Sequence, residues 1–432
     1  MHRRADPPPP DAGAEPAAGG DGGEVGGLES PALAGGTAVR FPCCDGLRAV
    51  AAGAVLVFHA ATLTGRTADG TGANYLVHLD VGVAVFFVLS GFLLYRPYVV
   101  AHLTGEPGPA AGRYLLRRAV RILPAYWVAL VVTALAFDQV DVGGVGSWAI
   151  LAGLFQIYSV DHFFDGLVQA WSLCTEVSFY VFLPVWAALL ARVGGTVARR
   201  TRAQVAGLAV LVVASLAFKV VLLALDTSLG YAWLPAWLDV FALGMGLAVA
   251  SAAATVRRAD GTVGWSLGAS PGLTWLAAGC LFWALCQLDL PVGLAPIGTG
   301  RYLARQSLAG LVAVLLVAPA VFGAQDRGLV RRFLRSRPVV LAGLVSYGVF
   351  LWHLTWVVDA VRRAGEAGEA PRFLPVLGTA VAGTLLTATA SYVAVERPLL
   401  ERARRAGLTG TGRRGRRAAS RPSPAPGPAP AR

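Results

Sequence analysis

The sequence predicts an all-α, polytopic membrane protein with about ten transmembrane helices and disordered tails, and three observations carry that prediction. Mean hydropathy is +0.59, and of 432 residues 55% are hydrophobic and only 14% charged, a balance outside the usual soluble range. Apolar runs of the length that crosses about 30 Å of hydrocarbon recur along the chain. Arginines gather in every second connection between those runs, as short cytoplasmic loops require.

Taken in order, the runs are 46–64, 81–100, 121–138, 169–191, 205–225, 233–254, 273–288, 302–322, 339–360 and 373–394. The seventh is short. The stretch SWAILAGLFQIYS at 147–159 is too short to span, so it is expected to dip into the bilayer or lie along its surface. With the N-terminus inside, the inner connections hold RYLLRR (113–118), Arg192 with ARRTR (198–202), Arg257 and Arg258, RGLVRRFLRSR (327–337) and ERARR (401–405). The outer connections are nearly free of arginine until the last, where Arg362, Arg363 and Arg372 break the trend. Both termini are therefore expected in the cytoplasm of a multi-pass plasma-membrane protein. Residues 1–40, rich in Pro, Gly and Ala, and residues 401–432, rich in Arg and Pro, are expected to be disordered tails around a membrane domain at 41–400. No removable signal peptide is visible in the first 40 residues.

The net charge of +12 does not point to nucleic acid, because the arginines stand between apolar runs rather than on one soluble basic face. Five cysteines form no CxxC pair and no His/Cys cluster with zinc spacing, so no metal is expected and the thiols read as small core residues.

Ionisable residues inside the runs are few, costly and informative. In RAVAAGAVLVFH, Arg48 and His59 are eleven positions apart, about 1100° and about 16 Å along a helix, so they share one face. Arg48 falls at the inner edge and His59 in the outer half. Glu176, in WSLCTEVSFYVFLP, and His353, in SYGVFLWHLTWV, reach comparable depth from the fourth and ninth runs. Three such groups at one level suggest a polar chamber; the competing reading is a histidine–carboxylate hydrogen bond that only joins helices. Arg118 and Arg121 are spaced RxxR, on one face of the third helix near the same inner edge as Arg48. Each alone obeys the positive-inside rule. As a group they suit bidentate phosphate binding, and a donor held there could extend a slender arm to His59.

The segments CDGLRAVAAGAVLVFH, VGVAVFFVLSGFLLYRPY, RRAVRILPAYW, WSLCTEVSFYVFLP, LDVFALGM, SYGVFLWH and VERP, in this order, make the chain resemble the acyltransferase-3 family of bacterial membrane O-acyltransferases over about residues 41–400. The resemblance implies some ten transmembrane helices and no permanently bound cofactor. The implied donor is acyl-CoA, acetyl-CoA in particular. Transfer of an acetyl or short acyl group to a hydroxyl of a carbohydrate or natural-product acceptor follows from it. The family's R-x10-H pair falls on Arg48 and His59, its RxxR on Arg118 and Arg121, and its WSLxxE acid on Glu176. His59, with Glu176, would then be catalytic, and the three arginines would contact CoA. Many relatives that modify cell-wall polymers continue into a secreted hydrolase-like domain, which is not seen here. The pair Cys43 and Cys44 stands where an aliphatic residue is commoner.

Two mechanisms fit these residues: His59 as general base on the acceptor hydroxyl, or His59 as an acyl-carrying relay between donor and acceptor. Trp171, Tyr180 and His353 are candidates for the acceptor path. Lys219, the only lysine, is either the interior partner of an acid or a snorkelling side chain. Asp45 can cap the first helix or orient Arg48. Ser90 and Gly91 read as a close helix contact. The rival function is a proton-coupled transporter without acyl-transfer chemistry, which would also place His and Glu in the membrane. It would be favoured by internal repeats or a matched pair of broken helices, and neither is evident.

Overall fold

The computed structural model describes residues 41–68, 72–137, 139–140, 143–225, 229–259, 270–288, 299–323 and 327–407. The expected N-terminal tail and the C-terminal tail beyond 407 lie outside the described residues. All regular structure among them is helical: α1 (Cys43–Leu63), α2 (Ala73–Val77), α3 (Val81–Thr104), α4 (Ala111–Ala136), α5 (Val145–Ala152), α6 (Trp171–Ala191), α7 (Val197–Ala224), α8 (Leu238–Ala259), α9 (Pro271–Gln287), α10 (Thr299–Val321), α11 (Leu329–Leu334), α12 (Arg337–Leu344), α13 (Ser346–Glu366), α14 (Phe373–Ser391) and α15 (Arg397–Arg405), with short 3₁₀ and π turns between them.

Among the described residues, eight helical segments are long and apolar enough to cross a membrane, and a ninth if α12 and α13 count as one span. At 17 residues, α9 is the short seventh run of the sequence. The expected span 339–360 is not one straight helix. It breaks at Val345 with a 74° bend between α12 and α13, a change of direction to which a hydropathy window is blind. The last run continues from α14 through a π turn into α15, so helix extends to Arg405, past the boundary expected at 400. α5 is a single short helix of eight residues, seated on α4 by Tyr126 Oη donating to Leu151 O (2.8 Å) and Trp127 Nε1 donating to Ala152 O (2.9 Å). Trp127 thereby reaches a carbonyl in the last turn of α5, where helix ends leave acceptors open, and Tyr126 adds a second bond to Leu151 O, which also accepts from Leu154 N.

The packing centres on α3, which has no polar face and is buried over most of its length; a helix apolar all round belongs inside a bundle. It contacts α1, α6, α8 and α10. A Cβ on Gly91 would lie 2.4 Å from Phe241 O, and one on Gly244 2.1 Å from Val88 O, so the α3–α8 crossing is close because both helices present glycine there. A second crossing sets the start of α1: a Cβ on Gly343 of α12 would meet Asp45 O at 2.1 Å. That contact fixes the turn carrying Asp45 and Arg48 against α12, just before the bend that lets α13 run alongside α1.

Four of the five cysteines are buried and unpaired, and Cys280 is exposed. Lys219 is the interior partner of an acid: its Nζ lies 2.6 Å from Asp239 Oδ2 across the α7–α8 contact. Two of the arginines that broke the loop pattern are neutralised on their own helix, Arg362 and Arg363 reaching the two oxygens of buried Asp359 at 2.9 and 2.7 Å.

Candidate active site

One face each of α1, α3, α4, α6 and α13 encloses a cavity of about 850 Å³, mouth included. From α3 the lining residues are Val83, Phe86, Phe87, Ser90, Leu93 and Leu94, the three-four spacing of one helical face. α1 gives Arg48 and Val55, two turns apart. α4 gives Arg118, Arg121 and Ile122; α6 gives Ser172, Leu173, Glu176 and Tyr180; α13 gives Ser346, Tyr347 and Phe350.

The cavity is chemically graded. The three arginines that the sequence set apart converge on it, and the protein does little to neutralise them. Arg48 Nη1 lies 3.4 Å from Asp45 Oδ1, a long contact, and Asp45 orients this arginine rather than capping the helix, whose N-cap is Pro42. Arg118 sits with its guanidinium carbon 5.9 Å from the centre of the Tyr114 ring, and its Nε is buried without a hydrogen-bond partner. Arg121 makes neither hydrogen bond nor salt bridge among the described residues; its nearest compensation is electrostatic, from the buried carboxylate of Glu396, against repulsion from Arg48 and Arg118. Three guanidiniums bordering one open space, Arg121 repelled by the other two, have the chemistry that can take a polyanion.

Further along the wall stand a carboxylate and hydroxyls. Ser90 Oγ donates to Glu176 Oε1, and Tyr180 lies one turn beyond Glu176 on the same face. Tyr347 Oη donates to Ile122 O at 2.8 Å, tying α13 to α4. Val55, Val83, Leu173 and Phe350 give the cavity its apolar surface.

His59 and His353 do not line this space, but their neighbours do: Val55 is one turn before His59 on α1, and Phe350 is three residues before His353 on α13. The two imidazoles face each other across the α1–α13 contact, His353 Nε2 lying 3.2 Å from His59 Nδ1 and the ring centres 5.0 Å apart. His353 is buried at 1% exposure, whereas His59 is partly exposed. The single chamber expected for His59, Glu176 and His353 is thus two constellations, a histidine pair on α1 and α13 and a serine–glutamate pair in the cavity wall between α3 and α6. Trp171 belongs to neither, since it packs against Trp237 with ring centres 5.6 Å apart.

Sequence reasoning assigned no role to Ser90 as the donor to Glu176, to Tyr347 or to Glu396. Gly91 does make the close helix contact; Ser90, its neighbour, turns instead to the cavity. Glu396 lies in the quoted VERP segment, in a five-residue π turn (Tyr392–Glu396) packed on α4, a helix irregularity often found at functional sites. The motif was visible, but its approach to Arg121 depends on a helix contact spanning 275 positions, and no spacing encodes that.

Residues 41–396 match the family model described as an acyltransferase domain. The chain is 30% identical over 374 residues to the exopolysaccharide production protein ExoZ of Rhizobium meliloti (strain 1021), covering 82% of this chain and 99% of that protein. It is 25% identical over 374 residues to YrhL of Bacillus subtilis (strain 168), provisionally named a peptidoglycan O-acetyltransferase, covering 83% of this chain and 55% of YrhL. A shorter match, 29% identical over 165 residues, covers 33% of this chain and 42% of nodulation protein 10 of Rhizobium leguminosarum bv. viciae. No solved structure matches the chain.

Proposed function

The chain belongs to this acyltransferase family and is an O-acyltransferase, and we propose that it takes an acetyl or short acyl group from acyl-CoA and passes it to a hydroxyl of a carbohydrate. The observation that carries the donor assignment is the gradient of the site: three under-neutralised guanidiniums, Arg48 of α1 with Arg118 and Arg121 of α4, border the cavity, and His59, eleven residues beyond Arg48 on α1, pairs with His353 of α13. CoA has that polarity: phosphates at one end, then a narrow arm ending in the thioester. Arg48, Arg118 and Arg121 take the phosphates from the cytosolic side, a reading that the arginine-rich connections at this end of the bundle support. The arm runs past Glu176, Ser90 and Tyr180 and brings the thioester towards Val55 and Phe350, one turn short of His59.

At that point His59 removes the proton of the acceptor hydroxyl as the oxygen attacks the thioester carbonyl. A C–O bond forms, the C–S bond breaks, and the proton held on His59 goes to the departing thiolate, leaving CoA with a free thiol. Acyl-His59 as an intermediate gives the same net reaction in two steps. Support for a carbohydrate acceptor comes from the names of ExoZ and YrhL, which concern an exopolysaccharide and peptidoglycan.

The test is CoA-thiol release by purified protein in detergent, with acetyl-CoA and pooled oligosaccharide acceptors, beside His59→Ala. Acceptor-dependent release that disappears in the folded variant is expected. Equal release by His59→Ala would remove His59 from the chemistry, and no release from folded wild-type protein with any acyl-CoA would refute the donor.

A further inference from the structure

We infer that His353 is a positioning residue that holds His59 in the tautomer whose free lone pair is on Nε2. This rests on the reading of His59 as the reacting imidazole, and it deepens that reading by naming the nitrogen that reacts and what selects it.

The assignment follows from donors and acceptors alone. His353 Nδ1 lies 2.8 Å from Phe350 O and 3.2 Å from Val349 O. Carbonyl oxygens only accept, so Nδ1 carries hydrogen, and in the neutral ring Nε2 is left as an acceptor. That acceptor faces His59 Nδ1 at 3.2 Å. His59 Nδ1 is also 2.9 Å from Val55 O, again an acceptor only. Both partners therefore demand hydrogen on His59 Nδ1, which leaves the lone pair on Nε2, the one ring nitrogen of the four with no protein partner among the described residues.

A histidine bonded to the carbonyl four residues back is a common product of helix geometry, and His78 does the same with Asn74 O at 2.7 Å. The carbonyl half of each bond is therefore local and unremarkable. What is particular is the long-range step from α13 to α1, which turns the carbonyl-fixed tautomer of one histidine into the fixed tautomer of the other. Its value lies in the surroundings. A reacting histidine needs a third group to orient it and to stabilise the imidazolium that forms. A carboxylate there would be a second charge deep in an apolar bundle, where unpaired charge is costly. A neutral imidazole supplies an acceptor without it, and its bond strengthens when His59 gains a proton, because charge-assisted hydrogen bonds are the stronger ones. At 1% exposure, with both nitrogens engaged, His353 has no free atom to offer an acceptor sugar.

Two measurements test this. Histidine ¹⁵N NMR of the ¹⁵N-His-labelled protein, with only six histidines in the chain and His59 identified by its loss in His59→Ala, should show the Nδ1–H tautomer at His59; an Nε2–H tautomer overturns the assignment whether or not the enzyme turns over. In steady-state assays, His353→Leu, which removes the acceptor, should lower kcat about 10- to 100-fold, the range for partners that orient a functional ligand, with acyl-CoA and acceptor KM within about twofold. His353→Gln, whose amide can donate to the carbonyl and accept from His59, should recover most of that loss. A risen KM with kcat unchanged, or a Gln variant as slow as Leu, would make His353 a substrate contact or a packing residue. If the Leu variant does not fold, the Gln variant and the wild-type tautomer still decide the question.

Discussion

Two groups of cations lie within this bundle, and the protein treats them in opposite ways. Lys219 is fully buried and its charge is paired: Nζ is 2.6 Å from Asp239 Oδ2, and Asp239 Oδ1 accepts from Ser215 Oγ at 3.1 Å. Arg48, Arg118 and Arg121 border open space with one long carboxylate contact among them. A buried charge that the fold requires is matched by the fold. A set of like charges left unmatched around a cavity is a site whose counter-ions arrive with a ligand. The difference separates two readings that membrane arginines and lysines share in sequence: Lys219 is matched within the fold, and the arginine trio is left open to a ligand, as the proposed donor site requires.

The comparison breaks most visibly at its structural half. Asp239→Ala strands Lys219 without a partner and should cost about 3–5 kcal/mol, enough to lower the yield of folded protein and the midpoint of thermal unfolding sharply. The paired change Lys219→Met with Asp239→Leu should return most of that stability. An unchanged melting curve for the single variant would show that the pair does not hold the fold. On the other half the signs reverse. Arg118→Gln removes no hydrogen bond, so its melting point should match wild type, while loss of a charged contact to the donor, worth about 1.5–3 kcal/mol, should raise acyl-CoA KM by about 10-fold or more. A melting point that falls as KM stays constant would turn this arginine into a structural cation.

Smaller effects sharpen the boundary. Ser90→Ala removes the hydrogen bond to Glu176, a loss of about 1 kcal/mol, and should reduce kcat/KM for acyl-CoA by about fivefold without altering the His59 tautomer. Asp45→Asn removes only a long, partly exposed contact to Arg48, of the kind worth about 0–1 kcal/mol, and donor KM should shift less than about fivefold. A larger shift would mean that Asp45 holds Arg48 in place for the donor.

The parts of this molecule that were legible in its sequence are those written within one helix. Apolar runs marked the spans, arginine spacing marked residues that line the cavity, and the eleven-residue interval put Arg48 and His59 on one side of α1. Parts that depend on which helices touch were not legible. The depths of His59, Glu176 and His353 were read as one level and hence as one chamber; depth says nothing about azimuth, and the α1–α13 and α3–α6 contacts divide the three into separate pairs. Trp171 carries the composition of a sugar-stacking residue, and only the fold directs it to Trp237. The run 339–360 conceals its bend because Val345 and its neighbours are as apolar as a straight helix would be. Lys219 needed a partner 20 positions away on another helix, which shows only where α7 and α8 pack together.

Direct binding of CoA tests the central claim most closely. Isothermal titration of CoA into the detergent-purified protein would be compared across three proteins: wild type, Arg118→Gln with Arg121→Gln, and the control Lys219→Met with Asp239→Leu. The account predicts that wild type and the control bind alike, while the double arginine variant, equally folded, loses at least about 10-fold in affinity. Equal binding by all three, or none by folded wild-type protein, would contradict it.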